Sequence, residues 1–262
     1  MPRSLRRDKK AVSPAISMTI ISAVTIILVL VAGSFAYQTL ERQRGASEFE
    51  TVKKSVIAFD DAVRDVAWDL DGSRSSSFTV DCGRLQLVHG GMLVIKASVD
   101  GGSVSQNVST VSIQYSIGTN YVTFGDKYKT YILGNGSHVV TSSVESFGRA
   151  LVDQKGSWAN ITLSYRVRVM RTRVEKVGSD NVNYVDILII KTAAPRLSTY
   201  VGNFDLIARN VGITANSYNL TCTSGTCNIS VSLGGSTSEC DLNLEPGKVV
   251  FNFVTAEVQV TV

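Results

Sequence analysis

A long uncharged stretch near the N-terminus constrains this chain more than any other feature. No charged residue lies between Ala11 and Leu40, and the apolar part of the stretch runs from Ala11 to Tyr37. A helix rises about 1.5 Å per residue, so a helix of this length spans the ~30 Å hydrocarbon core of a bilayer. The sequence therefore predicts a helix that is apolar on every face, which a monomer in water could not cover by itself.

The charge of the chain is concentrated in front of this stretch. Positions 1–10 hold five basic residues and one acidic residue, so the formal net charge of +4 lies there and positions 11–262 are neutral. Basic residues stay on the cytoplasmic side, so we expect a cytoplasmic N-terminus and an exported remainder. Because that remainder has no basic field to recruit DNA or RNA, we expect no nucleic-acid partner.

Three interpretations fit a basic leader followed by an apolar tract. A cleaved secretory signal has a shorter apolar core and a small-residue cleavage site at its far end, whereas this tract is longer and runs on into a helix. A plain single-pass anchor satisfies the length and the charge. In a prepilin, cleavage occurs before the apolar tract, and the hydrophobic helix stays with the mature protein.

The residues at the junction favour the prepilin. The stretch Arg6-Arg7-Asp8-Lys9-Lys10-Ala11-Val12-Ser13-Pro14-Ala15-Ile16 resembles the processing region of archaeal type IV pilins. In that family a membrane peptidase cuts between a basic and a small residue, which here places the cut between Lys10 and Ala11. The resemblance covers only about residues 5–37. Bacterial pilins carry Glu as the fifth mature residue, and this chain has Ala15 there.

The resemblance implies a structural role without a cofactor. The chain would be a precursor in the cell membrane and then a subunit of an extracellular filament that serves adhesion. Implied partners are copies of itself, a prepilin peptidase, and an assembly ATPase with its membrane platform. Two alternatives stay open: a minor pilin whose head binds a surface, and a single-pass exoplasmic binding or sensor protein. The filament core would hold Ile16, Ile20, Ala23, Val24, Ile27, Leu30 and Val31.

The predicted helix continues to Leu70 as an amphipathic segment over 41–70. Its apolar residues repeat with spacings of three and four, which places them on one seam that can pack against the head. Gly33 and Gly45 are the expected weak points, since Gly costs up to ~1 kcal/mol relative to Ala inside a helix. The seam comprises Phe49, Val52, Val56, Phe59, Val63, Val66 and Leu70.

Residues 71–262 predict a β-rich extracellular head, so the expected fold class is α+β with a sandwich-like head. A loop is expected over 71–77, because small and polar residues follow the helix. Apolar residues alternate with polar ones from Ile161 to Val169, which is typical of a half-buried strand. A division of the head near position 195 stays open.

If the head is exported, its cysteines are expected to form disulfides and its Asn-x-Ser/Thr sequons become candidates for N-glycosylation. The segment Cys222 to Cys227 predicts a tight hairpin closed by a disulfide, which leaves Cys82 and Cys240 as the second pair. Sequons are acceptors for N-glycosylation, although a Ser/Thr-rich chain produces some by chance. The candidate positions are Asn107, Asn135, Asn160, Asn219 and Asn228.

The sequence offers little that would support catalysis. His89 and His138 lie beside predicted turns outside any metal-ligand spacing, and we expect both on the surface. Arg166 and Arg168 fall on the outward face of a predicted strand, where a solvated position is the ordinary expectation. We therefore expect no catalytic, cofactor-binding or metal-binding residue.

Overall fold

A computed structural model of the chain describes residues 12–178 and 180–262. One long helix, α1 (Val12–Ala67), precedes a large and mostly β region. This confirms the α+β class in outline. The chain forms two compact units, one up to Arg44 and one covering Gly45–Val262, so α1 contributes to both. The second unit is undivided near position 195.

The described part of the chain after α1 holds twelve strands in one large mixed sheet. The strands are β1 (Ser73–Val99), β2 (Gly102–Gly118), β3 (Lys129–Leu133), β4 (Val139–Val140), β5 (Gly148–Lys155), β6 (Trp158–Tyr165), β7 (Val167–Val177), β8 (Asp180–Ala193), β9 (Thr199–Cys222), β10 (Thr226–Leu233), β11 (Ser236–Asn243) and β12 (Gly247–Thr261).

The strand order of the sheet is β3-β5-β6-β2-β1-β9-β12-β8-β7-β4, and β10 and β11 branch from β1. Two neighbouring pairs, β12 with β8 and β4 with β7, are parallel, and the others are antiparallel. The long strand β1 changes partners along its length, since its first part pairs with β9 and its last part with β10. This change of partner separates two hydrophobic cores.

The first core forms where the second half of α1 lies against the sheet. Six of the predicted seam residues, from Phe49 to Val66, are almost fully buried. They contact apolar residues from strands that include β1, β2, β6 and β12. The spacing of three and four residues brings them onto one stripe, and burial of a large side chain contributes roughly 1.5–3 kcal/mol.

The second core is formed by apolar side chains from strands that include β1, β8, β10 and β12. Strand β12 serves both cores through its two faces. Phe251 and Phe253 belong to the second core, whereas Val258 and Val260 belong to the first. The buried neighbours Thr255 and Ala256 mark the change of face. Successive strand residues point to opposite sides, so a strand can do this only where both faces are covered.

The helix ends earlier than the sequence predicts. Helical structure stops at Ala67, and Leu70 is 62% exposed, so Leu70 does not belong to the seam. The Asn210 side chain donates to the carbonyl oxygens of Val66 at 3.2 Å and Ala67 at 2.6 Å. These are carbonyls that a helix end leaves without intrahelical donors. The loop predicted over 71–77 is also wrong from Ser73, where β1 begins.

Neither Gly33 nor Gly45, the two expected weak points, interrupts α1. Gly45 is buried, and a Cβ atom added there would lie 2.5 Å from Cβ of Tyr121. A Cβ on Gly33 would meet nothing within 4 Å. Gly45 therefore permits a close approach of the Tyr121 segment to the helix, and its role is packing.

Candidate functional site

The N-terminal half of α1 is an uncovered apolar surface within its own unit. In the described chain this is the one helix long and apolar enough to cross a membrane. The predicted filament-core residues are all exposed, and the six larger ones have between 48% and 68% of their surface accessible. The predicted cut between Lys10 and Ala11 lies outside the described residues. A surface of this kind requires either lipid or other apolar helices around it.

A carboxylate on α1 fixes the helix to β1 at positions 81–83. The Glu48 carboxylate accepts hydrogen bonds from the backbone N–H groups of Asp81, Cys82 and Gly83 at 2.7–2.9 Å. It also accepts one from the Tyr115 hydroxyl at 2.7 Å. Burial alone would raise the pKa of Glu48, but these four donors favour its charged form and lower that pKa.

A second acidic residue on α1, Asp60, is completely buried. Its Oδ2 atom lies 3.1 Å from Nε of Arg64 and accepts from the Ser146 hydroxyl at 3.2 Å. Its Oδ1 atom has no hydrogen-bond partner among the described residues. Burial raises the pKa of Asp60 to about 6, despite the nearby Arg64 charge. A Cβ on Gly148 would lie 1.9 Å from that Oδ1 atom, so only glycine allows this approach.

Arg166 is also buried, which overturns the prediction of an outward-facing residue. The alternation stops here, because β6 ends at Tyr165 and β7 begins at Val167. The guanidinium donates to Oδ1 of Asn135 at 3.1 Å and to the carbonyl oxygen of Ser146, and it pairs with Glu145 at 3.3 Å. Arg166 thereby holds the loops on either side of β4.

Arg168 retains more exposure than Arg166 but is also engaged. Its guanidinium lies 4.0 Å from the ring centre of Phe147 and donates to the carbonyl oxygen of Glu145. Cations over aromatic faces are attracted by the ring quadrupole. The prediction of a simply solvated strand face is therefore wrong for both arginines.

The two histidines differ from each other. His89 is exposed, but it lies within β1 and not at a turn. His138 is buried, which overturns its predicted surface position. Arg149 donates to its Nδ1 at 2.9 Å, so Nε2 carries the proton and donates to the Ser236 hydroxyl at 2.9 Å. Burial, with the charge of Arg149, lowers the pKa of His138 to about 4 and keeps it neutral.

The cysteines are arranged differently from the predicted pairing. Strand β9 pairs with β12 and β1, and β10 pairs with β1 and β11, so no hairpin joins Cys222 to Cys227. Both are nevertheless buried in the second core as free thiols, and Cys240 packs against that core. Burial, together with the nearby thiols of Cys240 and Cys222, raises the pKa of Cys227 to about 12.

The predicted Cys82–Cys240 pair is not brought together. Cys82 packs against the first core. Cys240 lies opposite Ile229, which in turn lies opposite Ala97 on β1. Ala97 is about 15 residues further along β1 than Cys82, which is roughly 50 Å of extended strand. A disulfide needs Cα atoms within about 7 Å, so this prediction is wrong for the observed fold.

The five sequon asparagines also fall into different settings. Asn107 and Asn219 are exposed. Asn135 is exposed, but its Oδ1 atom is held by Arg166. Asn228 is partly buried and donates to Asp241 at 2.9 Å. Asn160 is 3% exposed, and its side chain accepts a hydrogen bond from Ser116 and donates one to Asp153. It therefore cannot receive a glycan in the folded head.

Comparison with known proteins places no further constraint on this site. No family model matches the chain, and neither a curated protein nor a solved structure matches it. Among the described residues, no group of three or more His, Cys, Asp or Glu side chains is placed to hold a metal ion.

Proposed function

We propose that this chain is a pilin-like structural subunit of an extracellular archaeal filament, which polymerises through its N-terminal helix and serves adhesion. One observation carries the proposal. A single helix, α1, is exposed and apolar on all sides in its first half and buried along one stripe in its second half. The first half is suited to packing among neighbouring copies, and the second half fixes each copy to its head.

The physical argument concerns what can cover the apolar half. Burial of apolar surface contributes about 25 cal/mol per Å², so the tract is stable in lipid and again when it is surrounded by equivalent helices. Small residues recur at spacing four over Ala11, Ala15, Thr19 and Ala23, and small residues let helices approach closely. Extraction from the membrane into a helical homopolymer therefore replaces one apolar environment by another.

The remaining parts of the proposal follow from the resemblance in residues 5–37. A prepilin peptidase would remove positions 1–10, and an assembly ATPase with its membrane platform would drive polymerisation. The head would be an extracellular structural module with a sandwich-like arrangement around the second core, to which β1, β8, β10 and β12 contribute. We propose no enzymatic activity and no cofactor.

A single-pass exoplasmic anchor is the second candidate, and it is favoured by the same exposed helix, since a lone helix in lipid needs no neighbours. A minor pilin with a surface-binding head is a variant of the first proposal. The filament subunit, the minor pilin and the anchor all predict the same fold, and they differ in processing and in abundance at the cell surface.

The decisive experiment is the intact mass of the protein in sheared cell-surface material and in membranes. A filament subunit would lack residues 1–10 and be abundant in the sheared fraction. Replacement of Lys9 and Lys10 by neutral residues should leave the longer precursor in the membrane, whereas Arg replacements at both positions should be processed normally. A mature N-terminus elsewhere, or a wild-type chain that keeps its leader and stays in membranes, would refute the proposal.

A further inference from the structure

Two strands of the head have long edges without a strand partner. Strand β2 pairs with β1 from Gly102, but β6 joins its other side only from Ile113 onward. Strand β9 pairs with β1 only up to Arg209, so in the described chain its segment 211–222 is hydrogen-bonded to β12 as its one strand partner. Segments 102–112 and 211–222 are therefore open edges, apart from bonds to side chains: the Thr192 hydroxyl donates to the carbonyl oxygen of Val111, and Gln106 donates to the Thr255 hydroxyl. Unpaired strand edges offer backbone donors and acceptors to any other chain.

These two open edges lack the charges that usually protect such strands. Neither segment 102–112 nor segment 211–222 contains an Asp, Glu, Lys or Arg. Segment 211–222 even exposes Val211, Ile213 and Tyr218 by 38–47%. Charged side chains are among the common devices against edge-to-edge pairing, and an uncharged apolar edge is a predicted site of association.

Three other strands with an open side do carry charges, although the two-residue edge strand β4 does not. β3 begins with Lys129, and β11 carries Glu239 and Asp241. The part of β7 beyond β4 carries Arg171, Arg173, Glu175 and Lys176. The contrast is within one molecule, so it does not reflect a general scarcity of charge. Charged side chains therefore do not protect these segments of β2 and β9.

Each uncharged edge carries one sequon. Among the described residues, these are the two sequons whose asparagine is exposed and makes no side-chain hydrogen bond. Asn107 lies on β2 and Asn219 on β9, both are exposed, and neither side chain makes a hydrogen bond to another described residue. The neighbours Val108 and Leu220 pack against the second core, so Asn107 and Asn219 point outward. The third sequon residues, Ser109 and Thr221, are exposed too.

We propose that Asn107 and Asn219 carry N-linked glycans, and that these glycans protect the two uncharged sheet edges from pairing with other chains. A bulky, hydrated glycan prevents the close strand approach of about 4.8 Å that edge pairing requires. In the transfer step, Nδ2 of the asparagine forms a bond to the first carbon of a sugar. The bond from that carbon to a phosphate oxygen of a lipid-linked oligosaccharide breaks, the lipid phosphate leaves with the bonding electrons, and the amide loses one proton to a base.

The first test is glycopeptide mapping of the protein isolated from the cells that produce it. Peptides with Asn107 and with Asn219 should carry glycan mass, and the peptide with buried Asn160 should be unmodified in the same sample. The inference rests on the extracellular head of the proposed function, so protease access to the head on intact cells is measured in parallel. An accessible head that is bare at Asn107 and Asn219 overturns this inference alone, whereas an inaccessible head overturns the proposed function.

The second test concerns the role of the glycans. Substitutions Ser109→Ala and Thr221→Ala remove both sequons without touching the asparagines, and Ser109→Thr with Thr221→Ser is the matched control that keeps them. The Ala variant should shift to large, β-paired aggregates in sedimentation, and the control should sediment like wild type. A further Thr214→Lys change, which adds a charge to the β9 edge, should reduce that aggregation. An Ala variant that sediments like wild type contradicts the protective role.

Discussion

At the scale of single residues, the ionisable groups on α1 have opposite pH dependences. Glu48 has a lowered pKa, so its stabilising contribution is present above the ordinary carboxyl pKa and is lost as pH falls. Asp60 has a raised pKa of about 6 against an ordinary 3.8. Its folded state binds the proton more tightly, so its contribution is present at low pH and is lost as pH rises through 6.

The Asp60 contribution can be isolated with the variant Asp60→Asn, which keeps the shape and removes the titration. Between pH 4 and pH 6.5, the free energy of unfolding of wild type should fall by roughly 2 kcal/mol relative to the variant. The measurement is denaturant unfolding of the chain in mild detergent at several pH values. Asp61→Asn changes the exposed neighbour and should leave the wild-type slope intact. Parallel curves for wild type and Asp60→Asn would contradict the assignment.

At the scale of elements, the end of α1 depends on a residue far away in sequence. Asn210 on β9 donates to two helix carbonyls, while its own Oδ1 accepts from the N–H group of Gly212. A side chain of the sheet therefore caps the C-terminus of α1, and the helix ends at Ala67 without a glycine C-cap. The cap also fixes the register of α1 against β9.

The cap predicts a specific loss on removal of the donor. Asn210→Asp keeps the acceptor for Gly212 but removes the amide donor and places a negative charge near the helix C-terminus, where it is unfavourable. We expect a loss of about 1–3 kcal/mol in the free energy of unfolding. Asn203→Asp, on an exposed position of the same strand, is the control and should change stability little. Equal stability of the two variants would show that the contact does not contribute.

The strand pairing also changes what is expected of the cysteines. Peptide mapping without reduction, after alkylation of free thiols, should find no peptide that links Cys82 to Cys240, because the fold keeps them on different cores. The structure shows Cys222 and Cys227 as free thiols, but a bond between them would stay within the second core and leave the strand order unchanged. Detection of a Cys82–Cys240 peptide would show that the strand order of the mature protein differs.

At the scale of the whole molecule, assembly is proposed to depend on close packing of the exposed half of α1. Ala23→Leu should leave membrane insertion intact, because Leu is as compatible with lipid as Ala. Overpacking typically costs ~1–3 kcal/mol per site and would recur in every subunit of a filament. We expect processed protein in the membrane with few or altered filaments by electron microscopy. The control is Ile27→Leu, which keeps the volume. Normal filaments from Ala23→Leu would contradict the packing argument.

Much of the outline of this protein follows from local patterns in the sequence. The uncharged run over 11–40 and the three-four repeat from Phe49 to Val66 define a continuous helix with an apolar half and a one-sided half. These patterns are periodic and need no knowledge of distant partners. The alternation around Ile161 likewise predicts a strand.

Only the tertiary structure decided which residues meet. The burial of Asp60 and Arg166, the cap by Asn210 and the switch of faces in β12 all depend on contacts between segments that are distant in sequence. The thiols of the second core, the separation of Cys82 from Cys240 and the open edges that carry Asn107 and Asn219 likewise follow from the strand order. Local patterns carry no information about these pairings, because a strand's alternation is the same whichever neighbour it pairs with.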